Sequence, residues 1–231
     1  MKASEILILN GLGTKKQVKK LIKNRLVFLN GRVVEEDQEV EGSLYYQEQA
    51  LDMHPLKYIM LHKPTGYLSA NKDEYERTIT DLLPYRHLSM IGRLDRETSG
   101  LMLLTNEKKL AKRLILPEYH IERTYQFTCL KPLTSDDIQS FAEGIVIDGN
   151  IKTEKVQLRL ASKQSGEITL HEGKYHEIRK MFLSCHNGIK TLHRISYGGI
   201  RLDIPEGSYR ELTIEEVAQK TYENAIRIFN I

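Results

Sequence analysis

The chain has 231 residues, 40% of them hydrophobic and 28% charged, as expected of a soluble globular protein with room for one large domain and a small one. No apolar run approaches the length of a membrane span and no signal-peptide pattern opens the chain, so no membrane partner and a cytoplasmic location are expected. Cys129 and Cys185 lack metal-ligand spacing, fit a reducing compartment and are expected as buried thiols.

The net charge of +3 conceals a division along the chain. Residues 1–34 hold eight Lys/Arg against one acid, Glu5, whereas residues 35–56 hold seven acids and no Lys/Arg. A basic head, an acidic connector and a mildly basic body point to a polyanionic partner met first by the head. Within the head, Ser4 is placed to cap a short helix containing Ile6, Leu7 and Leu9, with Gly11 ending it. Thr14 then caps a second helix with Gln17 completing a capping box, and Val18, Leu21 and Ile22 form its buried stripe. Lys15, Lys16, Lys19, Lys20 and Lys23 occupy the other faces, and Arg25 follows. Asn30-Gly31 between Leu26–Leu29 and Arg32–Val34 signals a two-residue hairpin. A charge run can be simply a solvated face, but here almost no acids are interspersed. Such a helix can contact about half a dozen phosphates without reading sequence.

After a short strand near Leu44–Tyr46, Pro55 marks a boundary, with 46–56 expected as an acidic linker and 57–231 as the body. Strand-like runs occur at Tyr58–Leu61, Leu101–Leu104, Tyr125–Leu130, Ile145–Ile147, Val156–Leu160 and Ile168–Leu170. Helical patterns cover Glu107–Leu114, Ser135–Glu143, Tyr175–Ser184 and Ile214–Ile226, the last capped by Thr213 with Glu216. Dense short strands mixed with helices predict an α+β fold built on an antiparallel or mixed sheet.

Asp95 stands in Gly92-Arg93-Leu94-Asp95-Arg96-Glu97-Thr98-Ser99-Gly100, just before a run expected to be a fully buried strand. A carboxylate on a loop at the mouth of such a strand is held rigidly yet faces a cleft. Arg93 and Arg96 would favour its ionised form. Alone, this could equally be a structural loop with a surface Asp–Arg pair.

Further motifs accompany it in order: Lys63-Pro64-Thr65-Gly66, Arg123-Thr124-Tyr125, Glu172-Gly173-Lys174-Tyr175-His176-Glu177-Ile178-Arg179-Lys180-Met181, Leu192-His193-Arg194 with Gly198-Gly199, and Gly207-Ser208-Tyr209-Arg210. Together with the aspartate loop they resemble the RNA pseudouridine synthases of the RsuA type, which include the small-subunit rRNA enzyme. The helix-helix-hairpin head over 1–45 resembles the S4 RNA-binding domain.

The resemblance implies conversion of a uridine to pseudouridine without a cofactor: the N1–ribose bond breaks, the uracil turns, and C5 is joined instead. It implies Asp95 as the catalytic carboxylate, attacking C1′ or removing a proton from C2′. Tyr125 would pack on the uracil and assist loss of the C5 proton, although a strand tyrosine can also be plain core. Arg179 would pair with Asp95 and keep it ionised. Among substrate-binding residues, Arg93 would enter the RNA stack as the base leaves it, and extrusion of a base costs a few kcal/mol. Ile178 would form the wall under the base, or serve the apolar face it shares with Met181 and Phe182. Lys63 and Arg194 would be phosphate contacts or loop supports.

His171, His176 and Glu177 lack a metal-site spacing, and no nucleotide-binding glycine pattern occurs, so neither a metal nor a cofactor is expected. Two other classes compete. A ribosome-associated RNA-binding protein without catalysis would not need an acid in a basic cleft, and a glycosidase or nuclease would need a second carboxylate beside Asp95. Tyr175-His176 and Leu192-His193-Arg194 resemble the small-subunit enzyme more than its large-subunit sisters. A uridine of 16S rRNA, free or in a small-subunit assembly intermediate, is therefore the expected substrate, with 23S rRNA the alternative and a monomer the expected state.

Overall fold

A computed structural model describes residues 1–85, 88–213 and 215–217. The chain divides into two compact units, Met1–Lys57 and Tyr58–Ile231.

In the first unit, helices α1 (Ala3–Leu9) and α2 (Lys15–Lys23) precede strands β1 (Val27–Leu29), β2 (Arg32–Val33), β3 (Leu44–Tyr46) and β4 (Gln49–Ala50). The strands form one antiparallel sheet in the order β2-β1-β3-β4. Asn30 and Gly31 both take positive φ, 49° and 79°, the backbone that a two-residue hairpin with native twist demands. Ile6 and Leu7 from α1 and Val18 and Ile22 from α2 pack with Val27 and Leu44 into a small core. Gln17 accepts the Thr14 backbone N–H at 2.8 Å, closing the expected box at the start of α2. Ser4 is not the cap of α1. The helix begins two residues earlier with Lys2 at the cap, and the Ser4 hydroxyl donates instead to Asp37 at 2.7 Å. The acidic stretch expected as a linker over 46–56 holds the end of β3 and all of β4, and falls within the first unit.

The second unit contains β5 (Tyr58–Lys63), β6 (Ser89–Ile91), β7 (Ser99–Thr105), α3 (Lys108–Ile115), β8 (Arg123–Cys129), α4 (Ser135–Glu143), β9 (Val146–Ile147) and β10 (Ile151–Lys152). There follow β11 (Leu158–Ser162), β12 (Ser165–Leu170), α5 (Glu177–Ser184), β13 (Ile189–Tyr197), β14 (Ile200–Arg201) and β15 (Tyr209–Glu211). A nine-stranded sheet runs β11-β12-β8-β13-β7-β5-β15, with β14 on β13 and β6 on β7, while β9 and β10 pair separately. The sheet is mixed: β7 and β13 are parallel, and the other pairs among the described residues are antiparallel.

Both faces of the central strands are covered. Ile59, Leu61, Met102 and Leu104 belong to one core with Phe127, Ile168 and Phe182, whereas Met60, Leu101 and Leu103 join the other with Ala111, Leu114 and Tyr197. A strand apolar on both faces shows no alternation, which is why Leu101–Leu104 reads as one continuous apolar run.

Gly100 lies where β7 meets β13. A Cβ there would come within 2.3 Å of the Arg194 carbonyl oxygen, and its φ is +112°. Only glycine fits such a close backbone approach. Gly100→Ala is expected to cost about 3 kcal/mol or more, because neither backbone can retreat without breaking the sheet. Chemical denaturation checks this, and an unchanged midpoint refutes it.

The helix expected over Ile214–Ile226 lies mostly outside the described residues. Its proposed cap is present, with the Thr213 N–H donating to Glu216 at 2.8 Å and the Glu216 N–H to Thr213 Oγ1 at 3.1 Å. Of the two cysteines, Cys129 is buried, whereas Cys185 is only partly so.

Candidate active site

The loop carrying Asp95 joins β6 to β7 and is fastened along its whole length. Leu94 is buried and anchors the loop in the core. The Ser69 hydroxyl donates to the Leu94 carbonyl at 2.6 Å and accepts the Leu94 N–H at 3.0 Å. The Thr98 N–H donates to the Asp95 carbonyl at 3.0 Å, and the Gly66 N–H to the Arg96 carbonyl at 2.8 Å.

Lys63, at the end of β5, completes the clamp. Its ammonium donates to the carbonyls of Pro64 at 3.0 Å, Arg96 at 3.2 Å and Thr98 at 2.7 Å, using three donors on three acceptors. The side chain is fully buried, which pushes its pKa down to about 8 against the pull of Asp95. Of the two roles open to Lys63, the geometry is that of loop support. All three of its donors are taken by these carbonyls.

Asp95 is about one-third exposed and is gripped from α5 and the turn before it. Arg179 Nε donates to its Oδ2 at 3.4 Å, and His176 Nε2 stands 3.3 Å from its Oδ1. Arg179 is itself braced by the Glu97 carbonyl and Thr98 Oγ1, each at 3.2 Å. A guanidinium tied to the same loop as its carboxylate loses little freedom in making the pair. Arg96, expected to favour ionised Asp95, points elsewhere: it pairs with Glu76 at 3.2 Å and with Glu97 at 3.8 Å.

These groups line a cleft of about 910 Å³, large enough for a nucleotide. Arg93 is exposed on its rim. Tyr125 and Ile178 are buried to 8% and 5% exposure yet both contribute to the wall, so each serves core and cleft together. Arg194 also reaches the wall but is only 1% exposed. Its Nε donates to the Leu101 carbonyl at 2.7 Å, and its guanidinium lies 5.0 Å from the Tyr197 ring and 6.0 Å from that of Tyr125. It too is a support, stacked behind Tyr125.

Three further residues take part in the site without having been predicted as its members. Arg123, buried, donates to the Glu172 carbonyl at 2.9 Å and to Tyr197 Oη at 3.1 Å, tying the loop before α5 to the sheet. Glu177, buried, accepts the Lys174 N–H at 2.9 Å, and burial raises its pKa. For His176 the sequence argues against a metal role and likens Tyr175-His176 to the small-subunit enzyme, but it does not predict the contact with Asp95. The signal for it is its place three residues before Arg179 in the run Glu172–Met181. The expected helix start at Tyr175 is moved to Glu177 by the left-handed backbone of His176, at φ 54°.

In the head, Lys15, Lys16, Lys19, Lys20 and Lys23 are all exposed on α2. Arg25 is exposed but paired with Glu35 at 2.9 Å, so it is less available for a phosphate than the five lysines.

Comparison with known proteins agrees with this architecture. The family model for RNA pseudouridylate synthase matches residues 57–184. An uncharacterized RNA pseudouridine synthase of Bacillus subtilis is 33% identical over 94% of this chain and 97% of its own. The ribosomal small subunit pseudouridine synthase A of Pasteurella multocida is 34% identical over 89% of this chain and 93% of its own, and that of Escherichia coli 32% over 85% and 90%. A crystal structure of a pseudouridylate synthase superposes with a TM-score of 0.68 at 30% identity, covering 95% of this chain and 99% of the other. With the family model spanning more than half its length and full-length relatives spanning nearly all of it, the chain belongs to the RNA pseudouridine synthases.

Proposed function

We propose that this enzyme isomerises a uridine of 16S rRNA and that Asp95 is the carboxylate that acts on the ribose. The observation that carries this reading is the grip on Asp95: an acid on a rigid loop, paired with Arg179, facing a cleft walled by Tyr125 and Ile178. A carboxylate so placed serves either as nucleophile at C1′ or as base at C2′. The N1–C1′ bond breaks, the uracil turns, C5 bonds to C1′, the C5 hydrogen leaves as a proton, and N1 takes one up. Arg179 keeps Asp95 ionised, Tyr125 and Ile178 hold the base, and Arg93 on the rim fills the space the base vacates.

The small subunit is favoured by relatives that carry that substrate in their names and match most of the chain. Mapping pseudouridines in rRNA from a strain lacking the gene tests the proposal. One 16S position is expected to lose its modification and to regain it on complementation with the wild type. Retention of every site refutes it.

We read the head as an S4-like RNA-binding unit whose α2 lysines hold the phosphate backbone. Replacing Lys15, Lys16, Lys19, Lys20 and Lys23 together by Gln is expected to lower the slope of log affinity against log salt by about three to five. Filter binding at several salt concentrations measures this, and an unchanged slope would place the RNA elsewhere.

A further inference from the structure

Arg179 touches one oxygen of Asp95, which leaves the carboxylate free to rotate about its Cβ–Cγ bond. A second contact, at the other oxygen, is needed to define its plane. His176 Nε2 stands at that oxygen, 3.3 Å from Oδ1. Several features place the ring there. The loop Glu172–His176 is closed on α5 by Glu177, which accepts the Lys174 N–H at 2.9 Å, while the Glu177 N–H donates to the Lys174 carbonyl at 3.2 Å. Lys174 also pairs with Glu172. The closure turns His176 into the left-handed region, at φ 54° and ψ 30°, a backbone that costs an L side chain free energy. Its ring then lies against that of Tyr175, at 3.9 Å between centroids and 19° between planes, and Lys180 Nζ sits 5.1 Å from the Tyr175 ring.

Core packing does not account for this arrangement, because the Tyr175 residue is 69% exposed and the His176 side chain 38%. Charge balance does not require it either, since Arg179 already neutralises Asp95. What the ring adds is direction.

We infer that His176 is a positioning residue for the isomerisation, orienting the Asp95 carboxylate toward the ribose while Tyr175 holds the ring in place. The inference rests on the reading of Asp95 given above. A hydrogen on Nε2 gives the ring a donor for Oδ1, and such contacts tighten when substrate fills the site.

The test uses the full chain and rRNA from the deletion strain, as transcript or particle, whichever the wild type modifies. His176→Ala is expected to lower kcat about tenfold or more with KM within about twofold, the mark of lost alignment rather than lost binding. His176→Gln, whose amide nitrogen can stand near the position of Nε2, is expected to regain several-fold of that loss, with thermal midpoints alike in both variants. Asp95→Asn is run beside them. Activity in Asp95→Asn overturns the reading of Asp95, and this inference with it. An inactive Asp95→Asn with unimpaired His176→Ala overturns the role of His176 alone. A rise in KM without a fall in kcat also overturns it and makes His176 an RNA contact.

Discussion

Asp95→Asn is expected to reduce turnover about 10³-fold or more while leaving the fold and RNA affinity nearly unchanged. The amide is isosteric and keeps one oxygen for Arg179, so the loop retains its shape. It can neither attack a ribose carbon nor accept a proton as a carboxylate does. The pair it weakens is only partly buried, with Asp95 32% and Arg179 27% exposed, and partly exposed pairs contribute about 1 kcal/mol or less to stability. A large loss of activity with a small change in thermal midpoint would therefore identify a chemical role rather than a structural one. Single-turnover conversion, followed by detection of pseudouridine, measures the first quantity and calorimetry the second. Loss of both together would make Asp95 a structural residue.

The second large effect is expected at Lys63, and there the balance is reversed. Lys63→Met keeps much of the side chain's volume but leaves the Thr98 carbonyl of a buried contact without its ammonium partner, and the Arg96 carbonyl with the Gly66 N–H alone. An unmet buried acceptor costs about 1–3 kcal/mol, and the variant is expected to lose an amount in that range. Activity should fall as well, because the same two carbonyls fix the turn that presents Asp95.

The difference should also depend on pH. The folded amine releases its proton near pH 8, whereas an unburied lysine does so near 10.5. Between these values the unfolded chain binds more protons than the folded one, so folding stability on this group's account rises with pH. The advantage of the wild type over Lys63→Met should therefore widen from pH 8 toward 10.5. Urea denaturation across that range checks it. A constant or shrinking difference would show that Lys63 is not a desolvated ammonium.

The local elements were legible where one physical signal dominated. Asn30-Gly31 announces its hairpin because few other pairs tolerate two positive φ angles. The Leu101–Leu104 run announces a strand covered on both faces. β13 was not legible as a strand, since Lys190, Thr191, His193, Arg194 and Ser196 interrupt any apolar period along it. Its Arg194 is nonetheless buried, satisfied by the Leu101 carbonyl and stacked between tyrosines. No rule of periodicity predicts an inward-facing arginine, because the carbonyl that satisfies it belongs to Leu101, 93 positions away. Lys63 is a similar case: its residue type and turn left phosphate contact and loop support both open, and only the fold shows its ammonium on three backbone carbonyls.

The loop of Asp95 stands on the same divide. From its residues the sequence determined that an acid flanked by glycines and arginines sits before a buried strand, and the order of the motifs determined which family of reactions to expect. Which cation faces the carboxylate was decided only by the fold. Arg96 is adjacent in sequence but turns to Glu76, while Arg179 and His176 arrive from eighty residues away. The reason is geometric. Neighbours along a tight turn splay outward from it, so the groups that converge on one side chain must come from elements packed across the sheet.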